Sequence, residues 1–459
     1  MHNPWWYVPE LTAPMVIAIV SVVHVLIAHY AVGGGLFLAV ETTHAHRTGN
    51  ADYLAYLKRH ARFFVLLTVV LGAITGVGIW WTIGLASPLA TRILIRTFVF
   101  AWATEYVCFL VEIVSAFVFY YYWERLPAGI HITTVWIYGL SAWASLVIIG
   151  AITAFMLDPG SWPVDRDFWS ALLNRQALPQ IISRTGGALL LSSLYVYLHA
   201  AITIADPKLH GLIESRSTRP ALLGALMITA GGILWYLRLP ESAQAALLAA
   251  PVLNVFMGLL FVATGIVFFL LFLGPYRNPG WIFTPGFAAS VLLFGLIGFS
   301  TGEFVREAVR KPYIIYNVVL GSQMLPREIA AVRERGYLES GPWTRAFVQA
   351  RHPAAIDGGK VDVKRLLALP EADRVELGAM IFQYHCNNCH AIERGYSPVG
   401  ALIQGWTPAM IRALVNEPDS ARFTMPPWSG TRDEAELLVA YLARVAPKRP
   451  SGMLPDRGR

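Results

Sequence analysis

Cys386-Asn387-Asn388-Cys389-His390 sets two thiols three positions apart with an imidazole directly behind them. This C-x-x-C-H spacing suits covalent attachment of a c-type haem. The thiols can bond the vinyl groups of one porphyrin, and the histidine is placed to ligate its iron. The chemistry is one-electron transfer. Haem is attached this way outside the bacterial cytoplasm, so residue 386 is expected on the periplasmic side. Two other uses of a C-x-x-C pair fit less well. A zinc site wants a second ligand pair, and the remaining cysteine, Cys108, lies in an apolar run. A redox dithiol belongs beside a βαβ pattern, and none is visible in the sequence.

The flanks support the haem reading. Upstream, Gly378, Phe382 and Cys386 recur every four residues, the pattern of a short amphipathic helix packed over a haem. Downstream, Thr424-Met425-Pro426-Pro427 offers a thioether in a rigid turn. Glu434–Val445 then reads as a closing helix with Leu437, Leu438, Tyr441 and Leu442 on one face. With these flanks, the stretch over roughly 370–447 resembles a class I mono-haem cytochrome c domain. The resemblance implies one covalent haem with His390 and Met425 as its axial ligands, a pairing that raises the iron potential.

The elements that must carry this group are of another kind. The chain has 459 residues, 56% apolar and 14% charged, where a soluble domain carries about 25% charged residues. The deficit marks a membrane protein. The formal net charge of +7 then reports topology and contact with membrane lipid, and nucleic acid is not expected as a partner. Three cysteines, two of them in the haem motif, leave no disulfide framework. The start, Met1-His2-Asn3-Pro4-Trp5-Trp6-Tyr7, has neither a basic n-region nor a cleavage site. Export of the haem group is therefore expected to rely on the membrane segments.

Apolar runs of about 20 residues can cross a bilayer. Eight are present, at about 13–40, 62–86, 93–123, 134–157, 183–205, 220–238, 252–273 and 284–304. The expected fold is all-α: a polytopic membrane helical bundle of about eight transmembrane helices with a C-terminal periplasmic cytochrome c domain. The expected division is a bundle over 1–304, a periplasmic connector over 305–369, the cytochrome over 370–447 and a disordered tail over 448–459. Arg47, Lys58, Arg59 and Arg62 follow the first run, and Lys208, Arg216 and Arg219 follow the fifth. Both loops fall on one side, which the positive-inside rule makes cytoplasmic. The bias is modest, because Arg92, Arg96, Arg166, Arg175, Arg184 and Arg238 lie opposite. An outside N-terminus and eight crossings return the chain to the periplasmic side, where the haem motif needs to be. The expected location is the bacterial inner membrane, with both the N-terminus and the cytochrome domain periplasmic.

Ionisable groups within membrane helices are costly, so each is a functional candidate. His24 and His29 share the first helix, but their offset turns them about 140° apart. Glu105 and Glu112 are two turns apart, on one face and about 10 Å from each other. Glu303, Glu307 and Arg310 close the eighth helix, Met257 lies in the seventh, and Arg184 opens the fifth, which also carries His199. A lone membrane histidine can equally be a helix–helix hydrogen-bonding residue, and a methionine can be packing alone.

Taken in order, several of these residues resemble the haem-bearing subunit I of cytochrome bd quinol oxidases, over about residues 13–315. The likeness runs through His24 with the Gly-rich turn and Ala39-Val40-Glu41-Thr42 that follow it, Gly72-Ala73-Ile74-Thr75-Gly76, and Glu112 ahead of Trp123-Glu124-Arg125-Leu126. It continues through Phe256-Met257-Gly258 and Gly302-Glu303-Phe304-Val305-Arg306-Glu307-Ala308-Val309-Arg310-Lys311-Pro312-Tyr313, which resembles the family's G-W-x-x-x-E-x-G-R-Q-P-W signature. The resemblance implies His24 and Glu307 as ligands of high-spin haems, Met257 as a ligand of a low-spin b haem, and Arg310 as a partner of haem propionates. It also implies Glu105 and Glu112 as a proton path, one to three non-covalent b haems, and a second membrane subunit related to bd subunit II. Haem d is compatible with the family, but no residue indicates it.

The departures are informative. The family's low-spin haem takes a histidine at the start of its fifth helix, where this chain has Arg184. An arginine stays protonated and cannot ligate iron. Glu105 stands one residue off the family's first helix-3 glutamate, a turn of about 100°. The long outer loop that shapes the family's quinol site is reduced to Leu239–Ala250, so quinone loses its usual place. A ninth helix is replaced by the cytochrome.

The leading expectation is a respiratory membrane cytochrome subunit that moves electrons between the periplasmic c haem and b-type haems in the bundle. It would exchange them with a periplasmic redox protein, and a basic surface suits an acidic partner. One alternative is a bd-like terminal oxidase reducing oxygen with electrons that enter through cytochrome c. Another is a membrane anchor and electron conduit of a periplasmic dehydrogenase complex. Other cytochrome subunits are expected partners with, or in place of, the subunit II-like protein.

Overall fold

The computed structural model describes residues 6–278, 280–341, 343–422 and 424–446. The tail at 448–459, expected to be disordered, lies outside the described residues. Among these, eight helices are long and apolar enough to cross a membrane: Ala13–Thr48, Ala51–Ala86, Val99–Tyr121, Ala128–Phe155, Ala177–Thr203, Pro207–Leu237, Pro251–Tyr276 and Pro285–Ala308. They are called the first to eighth spans below. The protein is thus a nearly all-helical membrane protein.

Three spans differ from the apolar runs of the sequence, each for a physical reason. The second begins at Ala51, where the Asn50 side chain accepts a hydrogen bond from the Tyr53 amide at 2.9 Å. Its first half buries Tyr53, Tyr56, Leu57, His60 and Phe64 while Lys58, Arg59 and Arg62 fall on its other face. Those charges hide this half from a search for apolar runs. The sixth likewise begins at Pro207, capped by Asp206, and continues through Pro220. The run at 93–123 is two helices, Pro88–Thr97 and Val99–Tyr121, broken at Phe98.

The chain forms two compact units. The bundle unit comprises Val20–Trp80 and Leu94–Arg310. Its helices approach closely where side chains are small, as membrane helices do. A Cβ on Gly33 would stand 1.9 Å from the Ala188 carbonyl oxygen on the fifth span. No side chain fits there, so glycine is required. One core gathers Tyr30, Leu38, Tyr56, Phe64 and Tyr138. A second gathers Leu194, Tyr197, Ala225, Val267 and Phe283. Outward-facing Ile74, Val77, Phe100, Val114 and Val262 are exposed, the surface that lipid covers.

The other unit is the chain from Lys311 onward, with 6–19 and 81–93. Its centre is the pair of helices Glu371–His385 and Arg432–Val445. They cross at Gly378, where a Cβ would lie 2.1 Å from the Leu437 carbonyl oxygen. Thr431 and Glu434 close a capping box at the start of the second helix. The stretch expected as a connector does more than tether. It folds into two short hairpins and several short helices. Its Leu320, Val332, Tyr337, Leu338, Val348 and Leu366 enter the same core as Leu377, Phe382 and Leu438. A domain as short as the cytochrome alone buries a smaller share of its surface than a longer one, and this stretch adds cover.

Candidate haem sites

The haem motif sits at the end of helix Glu371–His385, which stops as Cys386 N–H donates to the Phe382 carbonyl at 2.8 Å. A tight turn follows. The Cys389 and His390 amides both donate to the Cys386 carbonyl, at 3.0 and 3.1 Å. Asn387 Nδ2 donates to the His390 carbonyl at 3.1 Å. Both cysteines are free thiols, and burial pushes the Cys386 thiol up to about 12. That shift runs opposite to the depressed thiol of a redox dithiol.

His390 is prepared as a metal ligand. Its Nδ1 lies 3.0 Å from the Ser397 carbonyl oxygen and 3.2 Å from the Ser397 hydroxyl. A bond to a carbonyl puts the proton on Nδ1 and leaves the Nε2 lone pair for iron. Burial holds its pKa below the ordinary histidine range, which favours the neutral ring that metals take. The donor set therefore fits a c haem. Met425 is half-buried in the turn, its amide donating to the Arg422 carbonyl at 2.9 Å.

Behind the motif, His385 and Trp428 pack with Tyr337. Tyr337 OH is hydrogen-bonded to His385 Nδ1. Glu434, wholly buried, accepts from three amides: Tyr337 at 2.9 Å, Leu338 at 2.7 Å and Thr431 at 2.9 Å. Sequence reasoning passed over this anchor, although Thr431-x-x-Glu434 is a legible capping box. The loop after the motif is tied to the segment ahead of the first span. Tyr396 N–H donates to the Glu10 carbonyl at 2.8 Å, and Arg394 pairs with the Glu10 carboxylate at 2.8 Å.

The bundle treats its candidates differently. Arg184 is buried and pairs with Glu303 at 2.9 Å. Glu303 also receives Arg306 at 3.0 Å, Arg306 reaches Glu307 at 2.6 Å, and Glu307 pairs with Arg310. The i, i+3, i+4, i+7 spacing lines 303, 306, 307 and 310 along one face of the eighth span. The structure thus joins two expected residues, Glu307 and Arg310, through an ion pair. Arg306 was not singled out from the sequence, although its offset of three from Glu303 marks it. A guanidinium locked on a carboxylate does not fit a haem-ligand position, so no low-spin haem is assigned at Arg184.

His24 Nδ1 lies 3.0 Å from the Thr75 hydroxyl, and a Cβ on Gly76 would stand 3.1 Å from its ring. The bond to Thr75 leaves Nε2 as the atom able to ligate. His29, on the same helix, has the more telling environment. Its Nδ1 is 2.7 Å from the Val25 carbonyl oxygen, and its buried Nε2 has no hydrogen-bond partner among the described residues. Glu105 accepts from Ser145 Oγ at 3.0 Å. Glu112 Oε1 is buried and unpartnered among the described residues. Met257 is half-buried on the seventh span, where its neighbour Phe256 packs edge-on against Phe304.

Residues 13–236 match the family Cytochrome bd terminal oxidase subunit I. Residues 373–442 match the family Cytochrome C oxidase, cbb3-type, subunit III. Both matches imply haem binding. The first ends before Met257 and the Gly302–Tyr313 stretch, so neither is covered by it. Among solved structures, the chain is similar to the bd oxidase from Geobacillus thermodenitrificans, with 15% identity and a TM-score of 0.58 over 66% of this chain and 87% of that one. A likeness at that identity shows the fold alone. No curated protein matches the chain.

Proposed function

We propose that this chain, in which a membrane region of the cytochrome bd subunit I type is fused to a cytochrome c domain with a respiratory redox role, passes electrons between one covalent c haem and b-type haem in the bundle. It exchanges them with a periplasmic redox protein. The observation that carries the reading is His390, whose hydrogen bond to Ser397 leaves Nε2 for iron beside two free thiols. A bound haem would supply a one-electron couple. Cys386 and Cys389 would hold it, His390 and Met425 would ligate it, and Tyr337, His385 and Trp428 would exclude water behind it.

In the bundle, His24, Glu307 and Met257 are the proposed ligands and Arg310 the propionate partner. Thr75 fixes the His24 tautomer. A ligating Glu307 must give up part of its pairing with Arg306 or Arg310. The tie between Glu10 and Arg394 supports a topology with the N-terminus and the cytochrome on one side, read as periplasmic. A subunit II-like membrane partner is proposed with it. Pyridine haemochrome analysis of the purified protein tests the reading. One c haem with at least one b haem is expected; one c haem alone would leave only the membrane-anchor reading.

Oxygen reduction is the second reading, and the glutamates of the third span favour it. Glu105 is held by Ser145, and Glu112, two turns further along the same face, has a buried oxygen with no partner among the described residues. Such a pair can hold and pass protons. Oxygen consumption driven by reduced cytochrome c tests it, and a haem-replete protein without turnover would exclude it.

A further inference from the structure

We propose that His352, Asp373 and Glu376 form a divalent-cation site of the zinc class, separate from the haems. One ring nitrogen of His352 and one carboxylate oxygen from each acid lie within 4.8 Å of one another. His352 caps the end of helix Thr344–Arg351. Asp373 and Glu376 lie one turn apart in helix Glu371–His385, so both reach the same side.

The histidine makes this more than an acidic cluster. His352 is only 9% exposed, and its Nε2 is buried with no hydrogen-bond partner among the described residues. A buried nitrogen without a partner is costly, and a cation taking its lone pair removes that cost. The acids can carry two negative charges, which a divalent ion neutralises. Imidazole with carboxylates suits zinc, whereas calcium and magnesium prefer oxygen alone.

Tetrahedral zinc ligands stand about 3.4 Å apart at bonds of about 2.1 Å, so the three groups must close by up to about 1.4 Å. Glu376 can supply the movement. Its ion pair with Arg351, at 3.8 Å, is long and half-exposed. Water fills the fourth position. The ion would clip the stretch before residue 353 to the helix that carries the haem motif. The site is independent of the direction of electron flow and of the haems of the bundle.

Calorimetric titration of zinc chloride into the chelator-treated, haem-loaded full chain in detergent tests the site. One equivalent is expected to bind. The double variant His352→Ala with Asp373→Asn should weaken binding at least about tenfold, with the c-haem spectrum unchanged as evidence of folding. If the double variant loses that spectrum, Asp373→Asn alone is read, and a several-fold loss is expected. No saturable equivalent in the native protein, or equal affinity in a folded variant, overturns the proposal.

Discussion

His390 in the cytochrome unit has one ring nitrogen tied to Ser397 and the other left for iron. Glu307 in the bundle has one oxygen on Arg306 and the other on Arg310. The first side chain is held in a ready state by a neighbour seven residues away. The second sits in a charge ladder that already satisfies it. Ligation at His390 would need only the haem, whereas ligation at Glu307 would need the ladder to rearrange.

The sharpest way to break this contrast is to remove the ligand. His390→Ala should abolish the low-spin c spectrum and leave the bundle folded. Reduced-minus-oxidised difference spectra measure it, and an unchanged reduced spectrum would refute the ligand. His24→Ala is the counterpart in the bundle and should remove a b-type signal. If every b band persists, His24 is a helix-packing residue bonded to Thr75 and nothing more.

Supports come next in size. Glu434→Ala strands three buried amides. At about 1–3 kcal/mol for each unsatisfied donor, less the relief of a buried carboxylate, the unit should lose about 4 kcal/mol. Denaturant unfolding followed at the haem band reports it, and Glu434→Gln should recover part of the loss. A variant within the error of the native protein would mean that these bonds do not hold the haem unit together. Arg184→Met leaves Glu303 with Arg306 as its remaining cation in the ladder. Removing one partner of a buried pair costs about 3–5 kcal/mol, and the low end, about 3 kcal/mol, applies because Arg306 stays. Adding Glu303→Gln should restore stability in detergent melts. A double variant no better than the single one would show that the two residues are not coupled.

The two regions were also unequally legible. Cys386, Cys389 and His390 lie within five consecutive residues, so their chemistry reads directly from spacing. Eight apolar runs forecast eight spans, because burial in lipid imposes a length. The amphipathic halves at 51–61 and 207–219 escaped, since their outward charges look like loop. The contribution of Tyr337 and Leu338 to the cytochrome core escaped as well. Each is apolar within a polar stretch, and only the fold shows what covers it. Arg184 was visible as a departure, but its partner, Glu303, lies far along the chain, and no local period links the two.

The smallest effect expected is a pH dependence confined to the cytochrome unit. Burial lowers the His385 pKa to about 4, against about 6.5 in an unfolded chain. The neutral ring therefore contributes stability that is complete above pH 6.5 and is lost as pH falls through 4. Between pH 6.5 and pH 5 the loss should reach about 2 kcal/mol. Glu434 works with the opposite sign. Burial raises its pKa, so its contribution is complete below its unfolded value and disappears as pH rises through its folded one. Comparing native protein with His385→Gln cancels the Glu434 contribution, because both proteins keep it. Thermal melts at the haem band should converge for the two proteins as pH falls from 7 to 5. Parallel curves would mean that His385 is not held neutral by burial, and that the packing of Tyr337 and Trp428 around it leaves room for water.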